Sequence, residues 1–256
     1  MALIKTVIDG KEIQVERDRW ALDVAGEMGI SIPTLCHHEA LEPYGACRLC
    51  VVEVTKGKWT WLTTACDLPI REGLSIKTNT PAVIKSRKMA IELLLARAPE
   101  ALSIQALAKE FGVEKVRFTR RDEIGKCILC GLCVRVCDSL IGVSAISFVK
   151  RGAERRVETP FNAASDACTG CGACVAICPT GHIVSVDKGA VRQMETWQTD
   201  LDMISCQSCG KAYIPALQFE SIQAKLGEKM PLEKICSKCQ RSRTASKLKA
   251  AMGDKN

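Results

Sequence analysis

The sequence has 256 residues, a formal net charge of +7 and sixteen cysteines. This length allows two or three small domains, and a hydrophobic content of 47% permits buried cores although only 4% of the residues are aromatic. Thiolates that bind metal carry negative charge, so a metal-loaded form would be less basic than the formal charge indicates.

The cysteines fit metal binding better than disulfide bonds. Twelve of the sixteen sit in C-x-x-C spacings, which are typical of metal ligands. The N-terminus has no long apolar segment of the kind found in signal peptides, and disulfide frameworks belong mainly to short secreted chains. We therefore expect reduced thiols and a cytoplasmic protein. No apolar run approaches the about 18 residues needed for a membrane span, so none is predicted.

Residues 1–80 are predicted to form a small β-rich domain with a β-grasp pattern. The strand-like stretches TVI at 6–8 and IQV at 13–15 flank Asp9-Gly10, a dipeptide typical of β-hairpin turns. A short helix is expected over residues 21–29, ended by Gly29. A strand is expected over residues 50–54.

This first domain contains four cysteines with the spacing C-x10-C-x2-C-x15-C, namely Cys36, Cys47, Cys50 and Cys66. Plant-type ferredoxins share the middle C-x2-C pair but have a shorter first gap. Small residues before Cys47 suit a loop that wraps closely around a cluster. We predict a [2Fe–2S] cluster here; the alternative is four unrelated buried cysteines.

Residues 81–119 are predicted to be a helical linker. Thr80 and Pro81 are typical of the N-cap and the first helical position. This helix is expected to run to about residue 98, before Pro99. A second helix is expected over residues 104–110, ending at Gly112.

Residues 120–195 contain two copies of C-x2-C-x2-C-x3-C, each followed by a β-like stretch, at 145–149 and at 182–186. This motif is typical of [4Fe–4S] ferredoxins, where the fourth cysteine of one copy ligates the cluster of the other copy. We therefore predict one cluster bound by Cys127, Cys130, Cys133 and Cys178, and a second bound by Cys168, Cys171, Cys174 and Cys137. Zinc is disfavoured because its sites usually use separated C-x2-C pairs.

Residues 196–256 are predicted to be a small zinc-ribbon-like tail with four cysteines, namely Cys206, Cys209, Cys236 and Cys239. We prefer one structural zinc ion, with another iron–sulfur cluster or a rubredoxin-like iron as alternatives. The Lys-rich residues 241–256 are predicted to form a solvated helix. Solvent or an acidic protein partner explains this charge more simply than nucleic acid does.

Several stretches resemble one protein family. They read IPTLC at 32–36, GACRLCVVEV at 45–54, KCILCGLCVRVC at 126–137, GVSAI at 142–146 and TPF at 159–161. The sequence resembles the N-terminal region of the large iron–sulfur subunit of respiratory complex I. It is also similar to the iron–sulfur, diaphorase-type subunits of NAD-linked hydrogenases and formate dehydrogenases. The resemblance covers about residues 1–190.

Together, the residues and the resemblance predict an α+β fold with four parts. These are a β-grasp [2Fe–2S] ferredoxin domain (1–80), a helical linker without a cluster (81–119), a bacterial-type 2[4Fe–4S] ferredoxin domain (120–195) and a four-cysteine metal-binding tail (196–256).

The sequence departs from this family in the linker. Family members usually carry a third [4Fe–4S] cluster there, bound by one histidine and three cysteines. Ala98 and Leu102 stand where a histidine and a cysteine would be expected, so we predict that this cluster is missing. Its loss would lengthen the gap between the remaining clusters. We therefore expect either that a cluster of another subunit bridges this gap or that the [2Fe–2S] domain moves, with candidate hinges at Pro99 and Gly112. In either case the [2Fe–2S] domain would be an end-point or a mobile branch that docks on a partner.

The sequence lacks G-x-G-x-x-G and G-x4-G-K-[S/T] nucleotide-binding motifs, and no cysteine set remains for a hydrogenase active site. The resemblance therefore implies an electron-relay subunit rather than a complete enzyme. Its expected partners are a flavin-containing, NAD(P)H-oxidising subunit and a hydrogenase or formate dehydrogenase catalytic subunit, with ferredoxin as a further partner if electrons are bifurcated. The alternative is a stand-alone iron–sulfur redox sensor with a nucleic-acid-binding zinc ribbon.

Overall fold

The computed structural model of the chain describes residues 3–119, 125–227 and 231–252. The predicted domain start at residue 120 and the last four residues of the predicted C-terminal helix lie outside these ranges. The chain divides into two compact units, Met1–Ser139 with Ile177–His182 and Leu140–Ala176 with Ile183–Asn256. No helix in the described ranges has the length and apolar character needed to cross a bilayer.

The first unit contains a five-stranded sheet in the order β2-β1-β5-β3-β4. Strands β1 and β5 are parallel, and the other neighbours are antiparallel. The bounds are β1 Leu3–Ile8, β2 Lys11–Glu16, β3 Val51–Lys56, β4 Trp59–Thr64 and β5 Ser75–Lys77. Asp9 and Gly10 both have positive φ, 47° and 80°. The β1–β2 turn therefore has the backbone form that Asp-Gly favours in hairpins, which confirms the predicted hairpin.

The core of this sheet follows the two-residue periodicity of strands. Val52 and Val54 in β3 are fully buried, and Ile8 and Ile76 from β1 and β5 join them. Helix α1 (Ala21–Glu27) covers this face with Ala21 and Val24. Gly29 follows it with φ 74°, as predicted for the end of this helix. A mixed sheet covered by one helix is the predicted β-grasp arrangement.

Helices α2 (Pro81–Arg97) and α3 (Leu102–Glu110) form the predicted linker region. The Thr80 hydroxyl accepts a hydrogen bond from the Val83 N–H at 3.3 Å, so the predicted N-cap is confirmed. Ala98 is fully buried and Leu102 is 75% exposed. Both side chains are apolar, so neither can bind a metal ion.

The buried side chain of Arg87 joins α2 to the sheet. Its Nη2 donates to the carbonyl oxygen of Val51, the residue after Cys50, at 2.8 Å. Burial lowers the pKa of this guanidinium, whereas the nearby Cys50 and Asp9 raise it. The helical linker is therefore packed directly against the strand that follows a predicted cluster ligand.

The second unit contains a four-stranded sheet in the order β11-β10-β9-β8 and a separate hairpin of β6 and β7. The strands are β6 Ser147–Val149, β7 Arg156–Glu158, β8 Val186–Lys188, β9 Val191–Met194, β10 Thr199–Ser205 and β11 Ala212–Pro215. Along the chain, α3 is followed by the helices α4 (Leu132–Arg135), α5 (Ala173–Ile177), α6 (Ala216–Leu226) and α7 (Ser237–Met252). Since β9 pairs with β10, the sheet runs across residues 195–196, where the sequence suggested a domain boundary.

One predicted strand is displaced. The stretch 182–186 was expected to be β-like, but β8 begins only at Val186. The Val184 N–H donates to the Thr196 side-chain oxygen at 2.9 Å. The main-chain N–H of Val184 is therefore bonded to a side chain rather than to a neighbouring strand. In the first copy, the strand covers the last three residues of the predicted 145–149.

Candidate metal centres

The four cysteines of the first domain lie together as buried thiols, three between α1 and β3 and Cys66 in a short 3-10 helix after β4. Cys36, Cys47, Cys50 and Cys66 are each at most 4% exposed. The thiols form two hydrogen-bonded pairs, Cys36 with Cys47 and Cys50 with Cys66. A [2Fe–2S] cluster needs two thiolates on each iron, so the pairing fits this donor set.

These pairs shift the acidity of their members in opposite directions. The hydrogen bond from Cys36, together with backbone N–H groups, lowers the pKa of Cys47 to about 6. The same pairing, with burial, raises the pKa of Cys36. Cys50 and Cys66 behave likewise, with the pKa of Cys50 lowered and that of Cys66 raised. Each pair therefore favours one thiolate, the form that binds metal.

The loop before Cys47 depends on a glycine. Gly45 has φ 65°, and a Cβ placed there would lie 3.0 Å from the Asp67 carboxylate. Arg48 also has positive φ, and its Nη1 donates to the Gly45 carbonyl at 3.2 Å. This close turn aims the backbone N–H of Cys47 at the Cys36 sulfur, 3.3 Å away.

The first unit also brings together one predicted four-iron set. Cys127 and Cys130 lie on the loop leading into α4 (Leu132–Arg135), and Cys133 lies in α4 itself. Cys178 belongs to the same unit. Burial, together with the nearby Cys178 and Cys127 thiols, raises the pKa of Cys130 to about 11. This proximity supports the crossed ligation that the spacing predicts.

A positive charge and a hydroxyl lie next to this set. Arg97 at the end of α2 donates from Nε to the Cys127 carbonyl at 3.1 Å, and its charge lowers the pKa of Cys127, which burial raises. The Thr180 hydroxyl lies 3.5 Å from the Cys178 sulfur in a nearly buried position. On a metal-bound thiolate this hydroxyl would be the donor.

We expect the variant Thr180→Val to lower the midpoint potential of this cluster. A hydrogen bond to a ligand sulfur stabilises the more electron-rich, reduced state. Its loss should change the oxidised-to-reduced ratio by up to tenfold, or about 59 mV for a one-electron couple. A redox titration followed by electron paramagnetic resonance (EPR) measures this, with Thr180→Ser as the control that keeps the hydroxyl. An unchanged potential in Thr180→Val would contradict the assigned hydrogen bond.

The [2Fe–2S] set and this four-iron set lie next to each other in the first unit. Cys47 is close enough to contribute to the raised pKa of Cys130. Arg135 of α4 donates to the carbonyl oxygens of Cys36 at 2.9 Å and of Glu42, and it stacks on Tyr44 at 5.0 Å. These contacts favour a fixed rather than a mobile [2Fe–2S] domain, because α4, which belongs to the first C-x2-C-x2-C-x3-C copy, bonds directly to the loop that carries Cys36.

The second four-iron set is divided between the units. Cys168, Cys171 and Cys174 belong to the second unit and Cys137 to the first, so their joint ligation stays a prediction. Gly170, within this triplet, has φ 67°, and a Cβ there would lie 2.8 Å from Leu201 in β10 and 3.1 Å from Pro215 in β11. The Gly170 carbonyl accepts a hydrogen bond from Arg192 at 2.9 Å. The triplet loop therefore packs closely against the four-stranded sheet.

The tail cysteines form a compact group. The sulfurs of Cys206, Cys209, Cys236 and Cys239 all lie within 4.8 Å of one another. The first two occupy the turn between β10 and β11, where Gly210 has φ 72°, and Cys239 lies in the first turn of α7. The Cys236 N–H donates to the Cys206 sulfur at 3.3 Å and is the main reason that the pKa of Cys206 falls to about 6. Four such donors fit one metal ion.

Sequence reasoning identified the thiols but missed their polar neighbours. Arg97, Arg135 and Thr180 carry no motif that separates them from ordinary surface residues. Their roles depend on contacts between residues as many as 99 positions apart, such as Arg135 with Cys36. One available signal was the position of Arg135 and Thr180 within two residues of a predicted ligand.

Comparisons with known proteins agree with this geometry. A 2Fe-2S iron-sulfur cluster binding domain matches residues 2–81, and a 4Fe-4S dicluster domain matches residues 126–182 and 167–213. The NADPH-Fe(3+) oxidoreductase subunit alpha of Geobacter sulfurreducens is 32% identical over 210 residues, covering 72% of this chain and 24% of that protein. The NADP-reducing hydrogenase subunit HndD of Solidesulfovibrio fructosivorans is 34% identical, covering 72% of this chain and 36% of that protein.

A solved structure is also similar. An NAD+-reducing [NiFe]-hydrogenase in the H2-reduced state matches with a TM-score of 0.53 and 28% identity, covering 61% of this chain and 74% of the matched chain. This chain spans about a quarter of the length of the first sequence relative and a little over a third of the length of the second. It is therefore an iron–sulfur protein with a [2Fe–2S] domain and a [4Fe–4S] dicluster domain, homologous to iron–sulfur subunits of NAD(P)-linked hydrogenases and complex I.

Proposed function

We propose that this chain is the electron-relay subunit of an NAD(P)-linked oxidoreductase complex. The observation that carries the proposal is the direct contact between the two cluster regions of the first unit, where Arg135 bonds to the Cys36 carbonyl and Cys47 lies near Cys130. Neighbouring clusters in one compact unit can exchange electrons without a moving domain.

The partners follow from what this chain lacks and from its relatives. One relative is named as a subunit of an NADPH-Fe(3+) oxidoreductase and the other as a subunit of an NADP-reducing hydrogenase. This sequence, in contrast, has neither the G-x-G-x-x-G nor the G-x4-G-K-[S/T] nucleotide-binding motif. We propose that a flavin-containing subunit oxidises or reduces NAD(P)H, and that a hydrogenase or formate dehydrogenase subunit holds the other substrate. Ferredoxin would be a third partner if electrons are bifurcated. Reduced thiols favour the cytoplasm as the compartment.

The proposed cofactors are one [2Fe–2S] cluster and two [4Fe–4S] clusters. Cys36, Cys47, Cys50 and Cys66 would hold the first. The two cubes would be held by Cys127, Cys130, Cys133 and Cys178, and by Cys168, Cys171, Cys174 and Cys137. These clusters supply one-electron redox chemistry, while the chain supplies the ligands, the hydrogen bonds to sulfur and the positive charges nearby.

We further propose that the tail binds a single zinc ion. Four sulfurs around one ion at about 2.3 Å would lie about 3.8 Å apart. The Cys209 and Cys236 sulfurs are 3.9 Å apart, and all four lie within 4.8 Å. A four-iron cube holds its ligand sulfurs farther apart because each binds a different iron. The compact group therefore favours one ion, and four cysteines with no open position favour structural zinc.

The isolated chain, purified without oxygen, is expected to contain about ten irons and one zinc. It should not oxidise NADH by itself, because no flavin site is proposed in it. Addition of its flavoprotein partner should allow NADH to reduce the clusters. Iron and zinc analysis, with the visible spectrum during NADH addition, measures all three expectations.

Two results would contradict these proposals separately. Strong NADH–dye activity of the flavin-free chain would exclude a pure relay role. About fourteen irons with no zinc would show that the tail holds a third cube instead of one ion.

A further inference from the structure

The edge strand β4 exposes an unusual number of apolar side chains. Trp59 is 79% exposed, Trp61 40% and Leu62 42%, although the whole chain has only four tryptophans. On the neighbouring helix α2, Met89 and Leu93 are 38% and 49% exposed. We call these five residues the β4–α2 face, which lies along the β4 edge of the sheet, with Trp59 and Trp61 on one side and Leu62, Met89 and Leu93 on the other. Exposed apolar groups that cluster in this way typically mark a protein interface.

Part of this face forms a groove beside the [2Fe–2S] site. The groove has a volume of about 350 Å³, and its lining includes Leu62, Met89, Leu93, Ala46, Cys47 and Arg48. Leu62 pairs with Glu53 across β3 and β4, and Glu53 accepts a hydrogen bond from Thr80 at the start of α2. Leu62 thus lies on the α2 side of the sheet. A predicted cluster ligand therefore borders an apolar groove that is open to solvent.

The main chain of β4 adds a second binding feature. β4 is the last strand in the sheet order, and within the described ranges no strand pairs with its outer edge. Exposed, apolar edge strands promote association with other chains. Trp59 and Trp61 lie on the opposite side of β4 from Leu62 because side chains alternate along a strand. A partner at this edge would contact both sides.

The rim of the face is basic. Arg48 lines the groove, and Lys85 is exposed on α2 one turn before Met89. Lys56 and Lys58 flank the β3–β4 turn next to Trp59, and both are exposed. An apolar centre with a positive rim matches a partner that has an acidic rim, since complementary charge steers association.

We propose that the β4–α2 face docks an acidic redox protein that exchanges single electrons with the [2Fe–2S] cluster through the Cys47 side. The inference rests on the relay function proposed above. In each transfer, the partner's flavin or metal cofactor is oxidised by one electron and the [2Fe–2S] cluster is reduced by one. Cys47 also lies near Cys130, so the electron enters on the side of the cluster that leads to the first cube.

Photo-crosslinking in the native host identifies what covers the face. A chain carrying Leu93→p-benzoylphenylalanine, in the groove beside Cys47, should crosslink to a protein with a flavin or metal redox cofactor. The matched control is the same substitution at Leu3, which is 63% exposed on β1 and lies outside the face. A crosslink to a second copy of this chain, to a protein without a redox cofactor, or to nothing would overturn the proposal.

A comparison of reduction rates between variants then tests the docking surface separately from the relay function. In the Met89→Glu variant, we expect unchanged EPR of the [2Fe–2S] cluster with dithionite, but at least tenfold slower reduction by the crosslinked partner. The control Leu102→Glu, at an exposed position in the first turn of α3, should keep the wild-type rate. If Met89→Glu also keeps that rate, the docking surface is wrong and the relay function stands. If the partner and its substrate fail to reduce the wild-type chain, both proposals fail.

Discussion

The variant Cys178→Ser is expected to lose the four-iron cluster that Cys127, Cys130 and Cys133 bind. These three cysteines belong to the first C-x2-C-x2-C-x3-C copy, whereas Cys178 belongs to the second. Cys178 belongs to the first unit, and its thiol raises the pKa values of Cys127 and Cys130. A serine leaves one iron without its thiolate, so the cube should be lost. The iron content should fall from about ten to about six per chain, and one [4Fe–4S] signal should disappear from the EPR spectrum.

The variant Cys168→Ser is the matched control for this experiment. Cys168→Ser should damage the cube assigned to Cys168, Cys171, Cys174 and Cys137. The EPR signal that Cys178→Ser removes should remain. The Thr180→Val shift described above identifies that signal independently, because Thr180 contacts Cys178. If Cys178→Ser instead removes the signal that is lost in Cys168→Ser, each motif binds its own cluster and the crossed assignment is wrong.

The variant Cys236→Ser is expected to release the tail zinc and unfold the C-terminal region after β11. Structural zinc contributes about 10–16 kcal/mol of apparent binding free energy in small zinc domains. Helix α7 is exposed along nearly all of the length for which burial is described, so few apolar contacts would hold it without the metal. Zinc analysis, and limited proteolysis of α6 and α7, measure the effect.

The iron content of Cys236→Ser should remain about ten, because the tail ligands are separate from the cluster ligands. Ser237→Ala, at the neighbouring position, is the control and should keep its zinc and its resistance to protease. A Cys236→Ser chain that keeps its tail folded, or that loses four irons with the tail, would contradict a structural zinc site.

Local signals predicted much of the first unit. The Asp9-Gly10 hairpin, the Thr80 N-cap and the glycine after α1 each depend on residues next to one another in sequence. Helix α3 begins two residues earlier than predicted, which is an ordinary difference at a helix end. These features formed as expected because nothing distant competes with the local preference.

Features that depend on distant residues were predicted less well. The stretch 182–186 has apolar residues like a strand, but the Thr196 side chain takes the Val184 N–H. The expected hinges at Pro99 and Gly112 were inferred from a missing cluster. The sequence gives no sign that Arg135 would bond to a carbonyl 99 positions away. Spacing predicts which thiols bind metal, but only the fold shows how the sites are joined.

The close contact of Gly170 with Leu201 and Pro215 has a consequence for biogenesis. The loop that carries the second cysteine triplet is covered by strands that the ribosome synthesises later. During translation, this loop has no surface to close against until β10 and β11 have emerged and paired. Cofactor insertion at the second triplet should therefore be a late, post-translational event, whereas the [2Fe–2S] site, whose ligands are complete by Cys66, can be loaded while the chain is still growing.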